Sequence, residues 1–125
     1  MRLLASVVVA LACSLAAAAP TAAPVRAEID LLLSKLQASG CEFNRNGSWY
    51  SGDEAKDHLL CKLDYIEGNS TVQTTEQFIE LAAAKSSSSG KLYQVKCGGE
   101  APVESQVWLT KQLGVVRAAG GKGKS

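Results

Sequence analysis

The chain has 125 residues, 13 Lys and Arg against 12 Asp and Glu, and 46% hydrophobic residues. Near-neutrality with no basic stripe argues against nucleic acid as a partner, and the length suffices for one small domain with a modest core. A single histidine and four cysteines leave few ways to build a metal or nucleophile centre.

The first residues have a leader's pattern. Met1-Arg2 is followed by an apolar run from Leu3 to Ala19 and then by small residues, the form of a secretory signal peptide. The run is interrupted by Pro20 and Pro24 and is short against the ~20 apolar residues of a membrane span. Cleavage after Ala27 is expected, dividing the chain into a leader (1–27), one domain (28–116) and a basic tail (117–125) read as disordered. A competing reading makes Cys13 a lipid-bearing residue, but Ala10 stands where a Leu is usual and the apolar run continues beyond Cys13. Loss of Arg2 and Arg26 with the leader leaves 11 basic against 12 acidic residues. The expected location is periplasmic or secreted, with no transmembrane span in the mature chain.

Ile29, Leu32, Leu33 and Leu36 recur at i, i+3, i+4 and i+7 and predict a first helix, stopped at Gly40. Cys41 to Asn44 reads as a short strand, followed by the turn pair Asn46-Gly47. Ser51-Gly-Asp-Glu54 has the capping-box form and opens a second helix with Ala55, Leu59, Leu63 and Ile66 on one face. Thr74-Thr-Glu-Gln77 opens a third, with Phe78, Leu81 and Ala82 inward. Ser86 to Gly90 is a loop, Leu92 to Cys97 a second strand, and Ser105 is expected to cap a last helix bearing Trp108, Leu109, Leu113 and Val116. The order α-β-α-α-β-α predicts an α+β fold of about four helices with a two-stranded antiparallel ribbon.

Removing the leader leaves Cys41, Cys61 and Cys97, and an odd count leaves one unpaired. Cys41 begins one strand and Cys97 ends the other, positions that lie side by side in an antiparallel pair, so a Cys41–Cys97 disulfide is expected. A loop of that length contributes on the order of 4 kcal/mol. Cys61, mid-helix, reads as a small buried side chain.

Several blocks now stand together: Phe43-x-Arg45-Asn46-Gly47, Tyr50, Ala55-x-x-His58-Leu59-x-x-Lys62, Thr75-Glu76-Gln77-Phe78-Ile79 and Ser86-Ser-Ser-Ser-Gly90-x-x-Tyr93. Their combination resembles the YfeK-like family, small exported bacterial proteins of unknown function, from about Leu31 to Leu113. The resemblance implies a location and a domain identity but no activity, cofactor or catalytic residue.

Candidate chemistry gathers in two segments. Arg45, Asn46, Tyr50, His58 and Lys62 from the first, with Ser86, Ser87, Ser88 and Ser89 from the second, form a candidate pocket for an anion or a glycan fragment. Whether the Asn46-Gly47 turn and the serine loop share one end of the strands is left open by the sequence. The bland reading pairs Arg45 with a helix carboxylate and leaves the serines as caps. The favoured function is a non-enzymatic envelope domain that binds a partner protein or small ligand. The alternative is a small hydrolase or metal-dependent enzyme using His58 with Glu54 and Cys61, which share a helix face, or with the Ser86–Ser89 loop. No complete catalytic set is visible, and no cofactor is called for.

Overall fold

The computed structural model describes residues 21–124, with side chains through Gly120. The apolar run Leu3–Ala19 and Cys13 lie outside the described residues.

Helix α1 (Ala23–Ala38) starts at Pro24, whose missing N–H costs nothing in a first turn, and buries Ile29, Leu32, Leu33 and Leu36 completely. The periodicity reads this face correctly but not its beginning. Thr21 donates its N–H to the Glu67 carboxylate at 2.9 Å and its hydroxyl to the same oxygen, and Val25 packs on the core. Residues 21–27, which the sequence reading assigns to the leader, thus continue the packing and hydrogen bonding of α1.

Strand β1 (Glu42–Arg45) turns back through Asn46 (φ 56°) and Gly47 (φ 88°) into β2 (Ser48–Tyr50). Both turn residues adopt positive φ, which Asn and Gly accept and most residues resist. Helix α2 (Gly52–Glu67) opens with the expected capping box: the Glu54 N–H donates to the Ser51 hydroxyl at 3.1 Å, and the Ser51 N–H to the Glu54 carboxylate at 3.0 Å. Helix α3 (Thr75–Ala82) is capped by Thr74. It turns Phe78, Ile79 and Ala82 inward, whereas Leu81, expected there, is exposed. Strands β3 (Gln94–Lys96) and β4 (Val103–Glu104) precede helix α4 (Ser105–Lys124). Ser105 begins that helix without acting as the expected hydroxyl cap; its N–H donates to the Tyr93 carbonyl at 2.9 Å, while its buried Oγ has no hydrogen-bond partner among the described residues.

The sheet order is β2-β1-β3-β4, antiparallel throughout. The α+β class and the central β1–β3 pair match the sequence reading; the ribbon is wider by one strand on each edge. Both added strands are too short to show a period of their own. Phe43 faces Val95 in the central register and stacks at 5.1 Å on Tyr93, under a core closed by Leu59, Leu63, Leu109 and Leu113. Full burial of a side chain such as Phe43 stabilises the fold by about 1.5–3 kcal/mol.

The expected disulfide joins Cys41 to Cys97, 56 residues apart, just before β1 and just after β3. Cys61 is free and exposed, not buried. Helix α4 continues through Lys124, and its Arg117 is anchored. Its guanidinium donates to Glu28 at 2.9 and 3.0 Å and to Glu76 at 2.7 and 3.0 Å. This clasp ties the last helix to α1 and α3. No helix among the described residues is long and apolar enough to cross a membrane.

Candidate functional site

Four segments converge on one end of the central strand pair. β1 ends at Arg45 and its hairpin turn presents Asn46. Helix α2 places His58 and Lys62, four residues apart, on one face. The loop before β3 brings Ser86, Ser87 and Ser88, and Tyr93 forms the floor. Together they line an open cavity of about 210 Å³.

The serine loop is held by its own side chains. Its ends are joined by the Ser86 N–H to the Lys91 carbonyl at 2.9 Å and the Gly90 N–H to the Ser86 carbonyl at 2.9 Å. The Ser89 N–H donates to Ser86 Oγ at 3.3 Å, and Ser86 and Ser88 share a hydroxyl contact at 3.1 Å. Ser89 Oγ then donates to Asn46 Oδ1 at 2.6 Å. That bond settles the question the sequence leaves open: the turn and the loop share one end of the sheet.

Tyr93 is 2% exposed, and its hydroxyl sits between two basic groups. Lys62 Nζ donates to it at 3.2 Å and to the Lys85 carbonyl at 3.0 Å; His58 Nε2 lies 3.1 Å away. An ammonium has only donors, so the Tyr93 hydroxyl accepts from Lys62, and it shares a second hydrogen bond with His58 Nε2. Electrostatics favour the neutral imidazole. Burial first, then the Arg45 and Lys62 charges, lower the His58 pKa from 6.5 to about 4. Burial and Arg45 also lower the Lys62 pKa, while burial raises that of Tyr93 against the opposing pull of Arg45.

Arg45 lies 5.1 Å over the Tyr50 ring, a support that orients the guanidinium without neutralising it. Neither Arg45 nor Lys62 takes part in any ion pair among the described residues, so the pairing of Arg45 with a helix carboxylate does not occur. The acceptors near them are already engaged: Asn46 Oδ1 by Ser89, the Lys85 carbonyl and Tyr93 Oη by Lys62. The cavity is lined by two cationic side chains and by hydroxyl and amide groups able to donate.

Of the nine candidate residues, Arg45, Asn46, His58, Lys62, Ser86, Ser87 and Ser88 line the cavity. Tyr50 stands behind Arg45, and Ser89 fastens the loop to the turn. The residue missed is Tyr93. Its alternation with Val95 marks it as core, but a buried tyrosine must satisfy its hydroxyl, and that requirement was the available signal.

Glu54 is engaged in the Ser51 cap, His58 meets Tyr93 and Cys61 is exposed, so the three side chains are not gathered as one ligand set. No group of three or more His, Cys, Asp or Glu side chains able to hold a metal occurs among the described residues. The geometry also disfavours a Ser–His pair: the groups around His58 are Tyr93 and two cations, with no acid to orient it, and a pKa near 4 makes a weak general base at neutral pH.

The model of DUF5329, a family of unknown function, matches residues 23–117. The chain is also 38% identical over 94 residues to the uncharacterized protein YfeK of Salmonella typhimurium (strain LT2), across 74% of this chain and 77% of that protein. No solved structure matches it.

Proposed function

We propose, for a chain that belongs to the DUF5329 family of unknown function, that it is an exported envelope domain binding a small anionic ligand, without chemical turnover, in the pocket between Arg45 and Lys62. One observation carries the reading: two cations on different elements line one cavity and have no carboxylate partner among the described residues. Charges brought together in the folded state repel, and a bound anion relieves that repulsion while gaining charge-assisted hydrogen bonds.

Export is supported by the Met1-Arg2 and apolar leader pattern and by a disulfide, the mark of an oxidising compartment. The leader is cut upstream of Thr21 in this proposal. Cleavage after Ala27 would remove Val25 and the first turn of α1, which pack on the core.

Titrating the protein with sodium phosphate, sulfate and acetate, followed by amide NMR, tests the reading. Shifts are expected at Asn46, His58, Lys62 and Ser86–Ser89, and Arg45→Gln or Lys62→Gln should each weaken binding by roughly tenfold or more, the worth of one charge-assisted hydrogen bond. Absence of binding by all three anions at millimolar concentration, or unchanged binding by both variants, refutes it.

A further inference from the structure

The chemistry of the ligand can be narrowed, on the premise that the pocket is an anion site. Direction comes first. Arg45 comes from the end of β1, Lys62 from α2, and Ser87 and Ser88 from the loop before β3. A planar carboxylate offers two oxygens in one plane, which a single fork fills. Donors arriving from three elements match an oxyanion with three terminal oxygens.

Charge comes second. Two cations that form no ion pair among the described residues line the cavity, and no Asp or Glu lines it. A phosphate monoester carries about −1.5 to −2 at pH 7; a sulfate monoester carries a single charge and leaves half of the excess uncompensated.

Size comes third. About 210 Å³ is below the roughly 300–1,000 Å³ of pockets that enclose a whole small molecule. The cavity is open, so it can take a head group whose carrier remains outside.

We infer that the ligand is a phosphate monoester, its three terminal oxygens divided among Arg45, Lys62 and the serine loop. The monoester's bridging oxygen points out of the mouth and carries the remainder of the molecule. Tyr93 receives no direct contact with the phosphate. It holds Lys62 and His58 in place from the floor, as a positioning residue.

The test is calorimetric titration of the unreduced protein with phenyl phosphate, phenyl sulfate and benzoate, which share one ring and differ only in the acid group. Phenyl phosphate is expected to bind at least tenfold more tightly than either competitor, and Lys62→Gln to erase most of that preference. If the three bind equally, the pocket is an anion site but not a phosphate-monoester site, and this inference fails alone. If none binds, the anion reading fails with it. The main comparison uses the wild-type protein, so a variant that folds poorly does not decide the outcome. Glucose 1-phosphate and dihexanoyl phosphatidic acid then separate carriers: tighter binding of the first identifies a sugar phosphate, of the second a lipid head group. Binding of neither overturns the inference.

Discussion

Acid should weaken this fold before its carboxylates begin to titrate, and His58 is the reason. In the unfolded chain the imidazole takes a proton near pH 6.5; in the folded domain it resists until about pH 4, because of burial and the charges of Arg45 and Lys62. Between those values the unfolded state binds more protons, so stability is complete above pH 6.5 and is lost as the pH falls toward 4. From pH 7 to pH 5 the linkage has an upper bound of about 2 kcal/mol. The ring is half-exposed, and solvent screening reduces this to about 1 kcal/mol. For a domain of this size that lowers the urea midpoint by roughly 0.5–1 M. Glu28 and Glu76, held below the ordinary carboxylate range by hydrogen bonds from Arg117, lose their contribution only at lower pH and do not confuse the comparison. Urea unfolding at pH 7 and pH 5, for wild type and His58→Gln, separates the terms, since glutamine can still meet the Tyr93 hydroxyl but does not titrate. The wild type should lose about 1 kcal/mol and the variant little. Equal losses in both proteins would refute the assignment of a neutral, desolvated His58.

Two further perturbations test the scaffold. Gly52→Ala adds a good helix former at a helix start, yet a Cβ there would lie 2.6 Å from the Leu36 carbonyl oxygen and 3.0 Å from Gln37 Cα. Both are backbone atoms, so the change should destabilise by about 2 kcal/mol and lower the Tm by roughly 10 °C; a raised Tm in a thermal melt would deny the close approach of α2 to α1. Arg117→Ala removes the clasp to Glu28 and Glu76 and should cost about 1 kcal/mol at low salt and less in 1 M NaCl, read from urea midpoints at the two salt levels.

Much of this fold was legible because its signals are local. The α1 stripe, the Asn46-Gly47 turn and the Ser51–Glu54 capping box depend on residues within a few positions of one another. The Cys41–Cys97 pairing followed from the positions of two strand ends. The edge strands did not show: Val103-Glu104 is two residues long and Ser48–Tyr50 is three, and each is held by its neighbour's register. The helical path of residues 117–124 is hidden for a related reason. Glycines 120, 121 and 123 weaken any local helix signal, while Arg117 is fixed by carboxylates 41 and 89 residues away in sequence. At the site, residue types and segments were readable but their convergence was not, since it rests on a contact from Ser89 to Asn46 across 43 positions.

The two ends of the β1–β3 pair are closed by different means. At one end stands a covalent bond, Cys41–Cys97; at the other, a single side-chain hydrogen bond between Ser89 and Asn46. The ladder is thus a zipper with one fixed stop. The proposed anion, bridging Arg45 and the serine loop, would act as the second stop, closing the pair at both ends.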